Sequence, residues 1–284
     1  VPPSSAEPPS SAEQPLPATR PSPAKLPSRP RLRPLKAVPG PGFLAWFDAL
    51  YARHTADLRF PEIRKALQAL STVYVQRRDR LAQGHALGTA GKRAAFALFY
   101  TPLHALLVQA LAGALPTQRP TELLDLGCGT GAAGLGWALH DRQEAGPGAA
   151  PLRLRGIDVN AYAVQEARWN WHQLSLQGQV SKGDLGQLTV GRDQSVVLAY
   201  VLNELSAPLR AQWLGRLLEG PNAPAQVLIV EPIAGRVAPW FAEWEARFTA
   251  VGGRADAWQV EMQMPERLAL LDKAAGLHHS TFRV

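Results

Sequence analysis

The chain has 284 residues, 46% of them hydrophobic, a formal net charge of +7 and one cysteine. That length and apolar content support a core of one large domain, or one domain with a small helical one in front. The lone Cys128 excludes an intramolecular disulfide and a cysteine-only metal cluster, and it fits a reducing, cytoplasmic setting.

Residues 1–42 hold thirteen of the twenty-five prolines, set among Ser, Ala and Glu. Such a stretch buries too little apolar surface to offset its ordering entropy, so a disordered tail is expected over 1–42. It has no continuous apolar core for a secretory signal, and its prolines block the amphipathic helix of a transit peptide. Six basic and two acidic residues give the tail +4 and leave +3 for the remaining 242 residues. The charge therefore hints at RNA through a weak, salt-sensitive attraction of the tail, not through a strongly basic fold.

Residues 43–115 carry a helical pattern. Leu44, Phe47, Leu50 and Tyr51 fall on one face of a first helix over 43–58. Pro61 opens a second, running to about Leu81, and glycines at 84, 88 and 91 punctuate the stretch after it. A third helix is expected over 92–115. From Ala94 to Leu115 it holds no Asp, Glu, Lys or Arg, long enough to consider a membrane span. Pro102, His104 and Gln109 argue against one. The preferred reading is a helix buried between the front region and a sheet, with no membrane partner.

Residues 122–134 read E-L-L-D-L-G-C-G-T-G-A-A-G. A short apolar run ends in a glycine loop, and the residues from Ala132 lead into a helix. Gly127, Gly129 and Gly131 permit backbone angles closed to other residues and let a ligand approach the main chain. The helix start adds unpaired N–H groups. Gly129, Gly131 and Gly134 satisfy the spacing G-x-G-x-x-G, a signal shared with dinucleotide enzymes. Asp125 shifts the balance, because a carboxylate there repels a pyrophosphate and suits a cationic ligand instead. Cys128 reads as a small filler of the loop.

Beyond the loop, strands are expected near 122–126, 153–159, 179–183, 195–202 and 226–231, with helices near 132–143, 161–176, 207–219 and 236–250. A final strand, helix and strand are expected over 255–263, 265–275 and 278–284. This alternation implies a mainly parallel α/β sheet covered on both faces. Asp158, at the tip of the second strand, suits the ribose hydroxyls of an adenosine; the competing reading is a loop aspartate or cap, for which Asn160 is better placed. Tyr200, Asn203 and Glu204 end the fourth strand, where ligands approach an open α/β sheet. Glu204 reads equally as a base and as a carboxylate opening the next helix. Glu231 faces the pocket or caps the following helix. Trp240, Trp244, Trp169 and Trp171 read as core, and His278 and His279 lack a third ligand nearby, so no metal site is expected.

The string D-L-G-C-G-T-G at 125–131 resembles the first motif of class I S-adenosylmethionine-dependent methyltransferases. With A-Y-V-L-N-E-L at 199–205, L-I-V-E-P at 228–232 and the helical front, it is similar to the mitochondrial-type small-ribosomal-subunit methyltransferase-like family. The likeness covers about residues 90–235, and the chain lacks that family's iron–sulfur cysteines. It implies a Rossmann-like, mainly parallel seven-stranded sheet with an antiparallel last strand over 116–284, preceded by the helical region at 43–115. It further implies S-adenosylmethionine as cofactor, held by Asp125, Gly127, Cys128, Gly129, Gly131, Asp158, Val159, Asp184, Leu185 and Tyr200. In such enzymes an acidic residue at the Asp184 position meets the adenine amino group, and the next N–H reaches the ring. No Asn/Asp-Pro-Pro-aromatic motif follows the fourth strand, and no cysteine lies there, which disfavours adenine amino methylation and the covalent route to 5-methylcytosine. The expected activity is methyl transfer, with Tyr200, Asn203 and Glu204 on the acceptor side. Ribosomal RNA or the ribosomal subunit is the leading acceptor or partner. A small molecule or protein acceptor, and an assembly factor with little turnover, are the alternatives.

Overall fold

Five short strands assemble into the central sheet of a computed structural model that describes residues 31–76, 87–115, 118–146, 148–233 and 238–284. They are β2 (Glu122–Leu126), β3 (Arg153–Asp158), β4 (Gln177–Lys182), β5 (Ser195–Ala199) and β6 (Gln226–Val230). Their order is β4-β3-β2-β5-β6, every neighbouring pair parallel. The chain moves outward from β2 through β3 to β4, then restarts on β2's other side with β5. That reversal leaves a crevice at the carboxyl ends of β2 and β5.

Helices cover both faces, which is why β2, β5 and β6 read as nearly unbroken apolar runs, whereas β3 and the edge strand β4 carry more polar residues. Along β2 the period-2 alternation sends Leu123 to one core and Leu124 and Leu126 to the other. Leu123 packs with α4 (Ala132–Glu144) and α5 (Ala161–Gln173), while Leu124 and Leu126 meet Trp213 and Leu217 of α6 (Ala207–Leu218) and Trp244 of α7 (Phe241–Ala250).

Three helices precede the central sheet: α1 (Pro41–His54), α2 (Phe60–Gln76) and α3 (Ala90–Ala114). Thr89 caps α3, its hydroxyl accepting from Lys92 N at 3.2 Å. Although α3 is long and apolar enough to cross a membrane, most of its apolar window is buried inside the protein. Its main neighbour is α4, not the sheet directly. A Cβ on Gly136 of α4 would lie 2.2 Å from the Ala105 carbonyl oxygen of α3, so only glycine permits this approach. Residues 31–284 form one unit, front included.

Two expectations are corrected. The sheet is not seven-stranded. The last strands, β7 (Trp258–Met262) and β8 (Thr281–Arg283), are antiparallel as expected, with α8 (Glu266–Ala275) between them, but they form a separate three-stranded sheet with β1 (Arg33–Ala37). Pro232, which has no N–H to offer a ladder, follows the end of β6. One backbone bond, Ile233 N to Arg283 O at 3.1 Å, joins that end to β8. The second correction concerns β1 itself, which falls inside the stretch expected to be disordered. It pairs parallel with β7 in register Arg33–Trp258 to Ala37–Met262. Arg33 adds an ion pair to Asp256 at 2.8 Å and lies over the Trp258 ring at 4.5 Å. Its Pro34 is tolerated because β1 is an edge strand. The rest of the tail, 1–30, lies outside the described residues, as do the expected end of the second helix near 81 and the start of the helix expected at 236.

Candidate functional site

The site is built from the turn that ends β2. Gly127, Gly129 and Gly131 take φ of 63°, 52° and 81°, the left-handed region that favours glycine. Each does so in a different setting. A Cβ at 127 would press on Val201 at 2.8 Å, and one at 131 on Trp171 Nε1 at 2.7 Å. One at 129 would meet nothing within 4 Å. The open face of the loop is therefore at Gly129, where a ligand can reach the main chain and a side chain would stand in its way. Gly131 N donates to Cys128 O at 2.7 Å to close the turn, and Cys128 N donates to Ile157 O at 3.0 Å to fasten it to β3.

Asp158 ends β3 beside this loop. Its Oδ2 accepts from Gly129 N at 2.9 Å and its Oδ1 from Asn160 N at 2.7 Å. A carboxylate accepts about four hydrogen bonds, so capacity remains for a ligand's hydroxyls. Asn160, as expected, is the helix cap: its Oδ1 accepts from the N–H groups of Tyr162 and Ala163. Val159, between them, is 62% exposed and presents an apolar surface at the mouth.

Asp125 does not face the crevice. Alternation puts it on the α4 side with Leu123, where it is buried and its Oδ2 accepts from Gly134 N at 2.7 Å. Burial, opposed by that N–H and reinforced by the nearby Asp158 charge, pushes its carboxyl up to about 7. The carboxylate expected to meet a cationic ligand directly serves instead as an internal clamp on the first turn of α4. Cys128 is buried as the filler it was expected to be, and burial raises its thiol well above the ordinary range.

At the end of β4, Asp184 is exposed and its Oδ1 accepts from Gly186 N at 2.8 Å, capping a 3-10 turn at Leu185–Gln187. Leu185 is buried in the α6-side core.

The tip of β5 departs most from the expected strand, which stops at Ala199 instead of continuing to 202. Tyr200 takes φ of 61°, a strained value for a bulky residue. Its ring stacks on His104 of α3 at 4.3 Å and 18°. Its buried hydroxyl has no hydrogen-bond partner among the described residues. Burial and the Glu231 charge push that phenol far above its ordinary range, and burial together with His279 pushes His104 down to about 3. Both rings are therefore neutral near pH 7. Asn203 is held at both ends of its amide: Nδ2 donates to Glu231 Oε2 at 2.8 Å, and Oδ1 accepts from Trp240 Nε1 at 3.1 Å. Glu231 also accepts from Leu202 N at 2.9 Å, so it pins the loop after β5 rather than capping a helix. Asn203 is a brace within that loop. Glu204 remains accessible in a crowded cleft, where desolvation by the walls and then the Asp158 charge push its carboxyl up to about 7.

Some of the residues that shape the site were not legible as such in the sequence. Trp171, expected as core, is core and also donates from Nε1 to Gly131 O at 2.9 Å. Asn170 and Thr101 also bond to the loop, both at Thr130. The spacing of Glu166 and Asn170, two polar residues four apart on the buried face of α5, was the one available signal.

Residues 105–199 match the family model described as the methyltransferase small domain. The match begins within α3, runs through the glycine loop and Asp158, and ends with β5. This segment is similar to that domain, and it lies in a Rossmann-like α/β fold with a parallel sheet. No curated protein matches the chain in sequence. Among solved structures, the chain is similar to the tRNA (uracil-54, C5)-methyltransferase of Pyrococcus abyssi in complex with S-adenosyl-L-homocysteine, at 15% identity and a TM-score of 0.39 over 55% of this chain and 34% of that one. It is also similar to a protein of Nostoc punctiforme assigned as an O-methyltransferase, at 17% identity and a TM-score of 0.45 over 72% and 67%. A third is the S-adenosylmethionine-dependent methyltransferase of Thiobacillus denitrificans in complex with S-adenosyl-L-homocysteine, at 18% and 0.38 over 58% and 69%. The chain thus spans about a third of the tRNA enzyme it resembles.

Proposed function

We propose that the chain is an S-adenosylmethionine-dependent methyltransferase acting on RNA, ribosomal RNA first among the candidates. The observation that carries the enzyme class is the loop at 127–131, whose one open glycine, Gly129, lies beside the Asp158 carboxylate at the carboxyl end of the central strand. The residues present fit the cofactor. Gly129 leaves room at the main chain, Asp158 keeps acceptor capacity for two ribose hydroxyls, and Val159 offers apolar surface for a purine. Asp184, one strand further out, is the adenine partner in this reading. When bound, the cofactor supplies a methyl group made electrophilic by its sulfonium.

The chain's own contribution is mainly alignment, since an in-line displacement depends on proximity and orientation. Tyr200 and His104 form a neutral, stacked wall, while the Glu231–Asn203–Trp240 brace fixes the loop beside it. Glu204, with a carboxyl at about 7, is able to take a proton from the acceptor near neutral pH. The acceptor class rests on the +7 charge and on the family resemblance of the sequence.

Two measurements test this. Asp158→Ala is expected to weaken S-adenosyl-L-homocysteine binding roughly tenfold or more, from the loss of charge-assisted hydrogen bonds; unchanged affinity removes Asp158 from the site. Labelled cofactor incubated with cell extract is expected to place label in the RNA fraction. Label confined to protein or small molecules overturns the RNA acceptor. Tight cofactor binding with no label in any fraction identifies an assembly factor instead.

A further inference from the structure

The glycine loop is held from outside the sheet by a buried chain of hydrogen bonds that starts in the helical front. Trp46 of α1 donates from Nε1 to Asn170 Oδ1 at 3.0 Å, and Asn170 Nδ2 donates to Thr130 O at 2.9 Å. Thr130 sits between Gly129 and Gly131, and its hydroxyl bonds the Thr101 hydroxyl of α3 at 2.7 Å. All four residues are at most 2% exposed, so none of these groups has water as a substitute partner. A second attachment lies one turn earlier on α5. Glu166 Oε1 accepts from Arg53 Nη1 and is bonded to His54 Nε2, both at 2.8 Å and both from the end of α1.

We infer that Trp46 and Thr101 are positioning residues for the cofactor, acting through Asn170 and Thr130 on the loop between Gly129 and Gly131. The inference rests on the reading of that loop as the cofactor site. The helical front is then part of the donor site. The physical reason is local. The loop owes its shape to left-handed glycines, which have the weakest intrinsic preference for any one conformation. The Thr130 carbonyl and hydroxyl are both tied, which fixes the Thr130–Gly131 peptide and the Thr130 side chain, and so holds the residue that follows the open face at Gly129.

The test compares variants that each remove one hydrogen-bonding group, Thr101→Val with the side-chain shape kept and Trp46→Phe with a smaller ring in the same place. Trp46→Phe deletes the indole N–H, and Thr101→Val deletes the hydroxyl. Each is expected to weaken S-adenosyl-L-homocysteine binding roughly three- to tenfold by calorimetry, well below the melting temperature of the variant. Asp141→Asn serves as the control. It weakens the Arg119–Asp141 pair at the far end of α4, in which only Asp141 is buried, and is expected to lower the melting temperature while leaving affinity unchanged. A second readout is amide exchange: the ligand is expected to protect the amides of α1 in the parent protein and less so in Trp46→Phe. Parental affinity in both Trp46→Phe and Thr101→Val overturns the inference while leaving the cofactor reading intact. Failure of the parent protein itself to bind the ligand overturns both.

Discussion

At the scale of single residues, the three loop glycines separate two roles that the sequence writes with one letter. Gly131 is required by its neighbours, because a Cβ there collides with Trp171 and comes within 3.2 Å of Ala167 Cα. Gly129 has no such neighbour. Gly131→Ala is therefore expected to lower the melting temperature strongly. Gly129→Ala is expected to cost only the left-handed backbone penalty, about 1–2 kcal/mol, yet to lose most cofactor affinity because its methyl fills the approach to the main chain. Melting curves and calorimetry on the two variants check this; a Gly129→Ala protein that binds normally moves the ligand away from the open face. Asp125 gives a prediction in pH. Its folded carboxyl is pushed up to about 7 from the ordinary 3.8, so the folded state holds the proton more tightly than the unfolded chain. The stability from this group is full below the unfolded value and is lost as pH rises through about 7. Asp125→Asn keeps an acceptor for Gly134 N and removes the titration. Its melting temperature relative to the parent is expected to rise between about pH 5 and about pH 8, and a constant difference across that window rules Asp125 out as the titrating group.

At the scale of elements, most boundaries were legible and one strand was not. The apolar runs at 122–126, 195–199 and 226–230, the capping Asn160 and the glycine loop all carry local signals, and the elements form within a few residues of where those signals lie. For β1 the local signal points the other way. Arg33–Ala37 is basic and proline-containing, and its structure comes from pairing with β7, more than two hundred residues later. No periodicity within five residues reports a partner at that distance. The pairing also explains why the last strands leave the central sheet: β7 is occupied on one side by β1 and on the other by β8. A chain beginning at Val38 is expected to melt about 5 °C or more below one beginning at Arg31, since it loses a strand, the Arg33–Asp256 pair and the cover on Trp258. Equal melting temperatures would mean that β1 adds nothing to the stability of the fold.

At the scale of the whole molecule, the front and the sheet form one unit, and the site depends on both. The charge makes its own prediction. If RNA is the acceptor, its association with the full chain should weaken steeply with added salt, because neutralised phosphates release counterions. Salt-independent binding would argue for an acceptor held by shape and apolar contact instead. The sequence by itself determined the class of fold, the order of the elements after β1 and the glycine loop that opens α4, because apolar periodicity and left-handed glycines are local properties that a short window records. The loop at 127–131 needed no distant partner to be recognised. Only the tertiary structure decided which way each polar group faces. It turned Asp125 inward as a clamp and made Asn203 a brace between Glu231 and Trp240. It also tied Thr130 to α3 directly and to α1 through Asn170. The Asp125 clamp closes over nine residues; the other two depend on side chains brought together from 28 to 124 residues apart, and burial makes their hydrogen bonds obligatory. Pairings over such distances leave no trace in the order of neighbours along the chain.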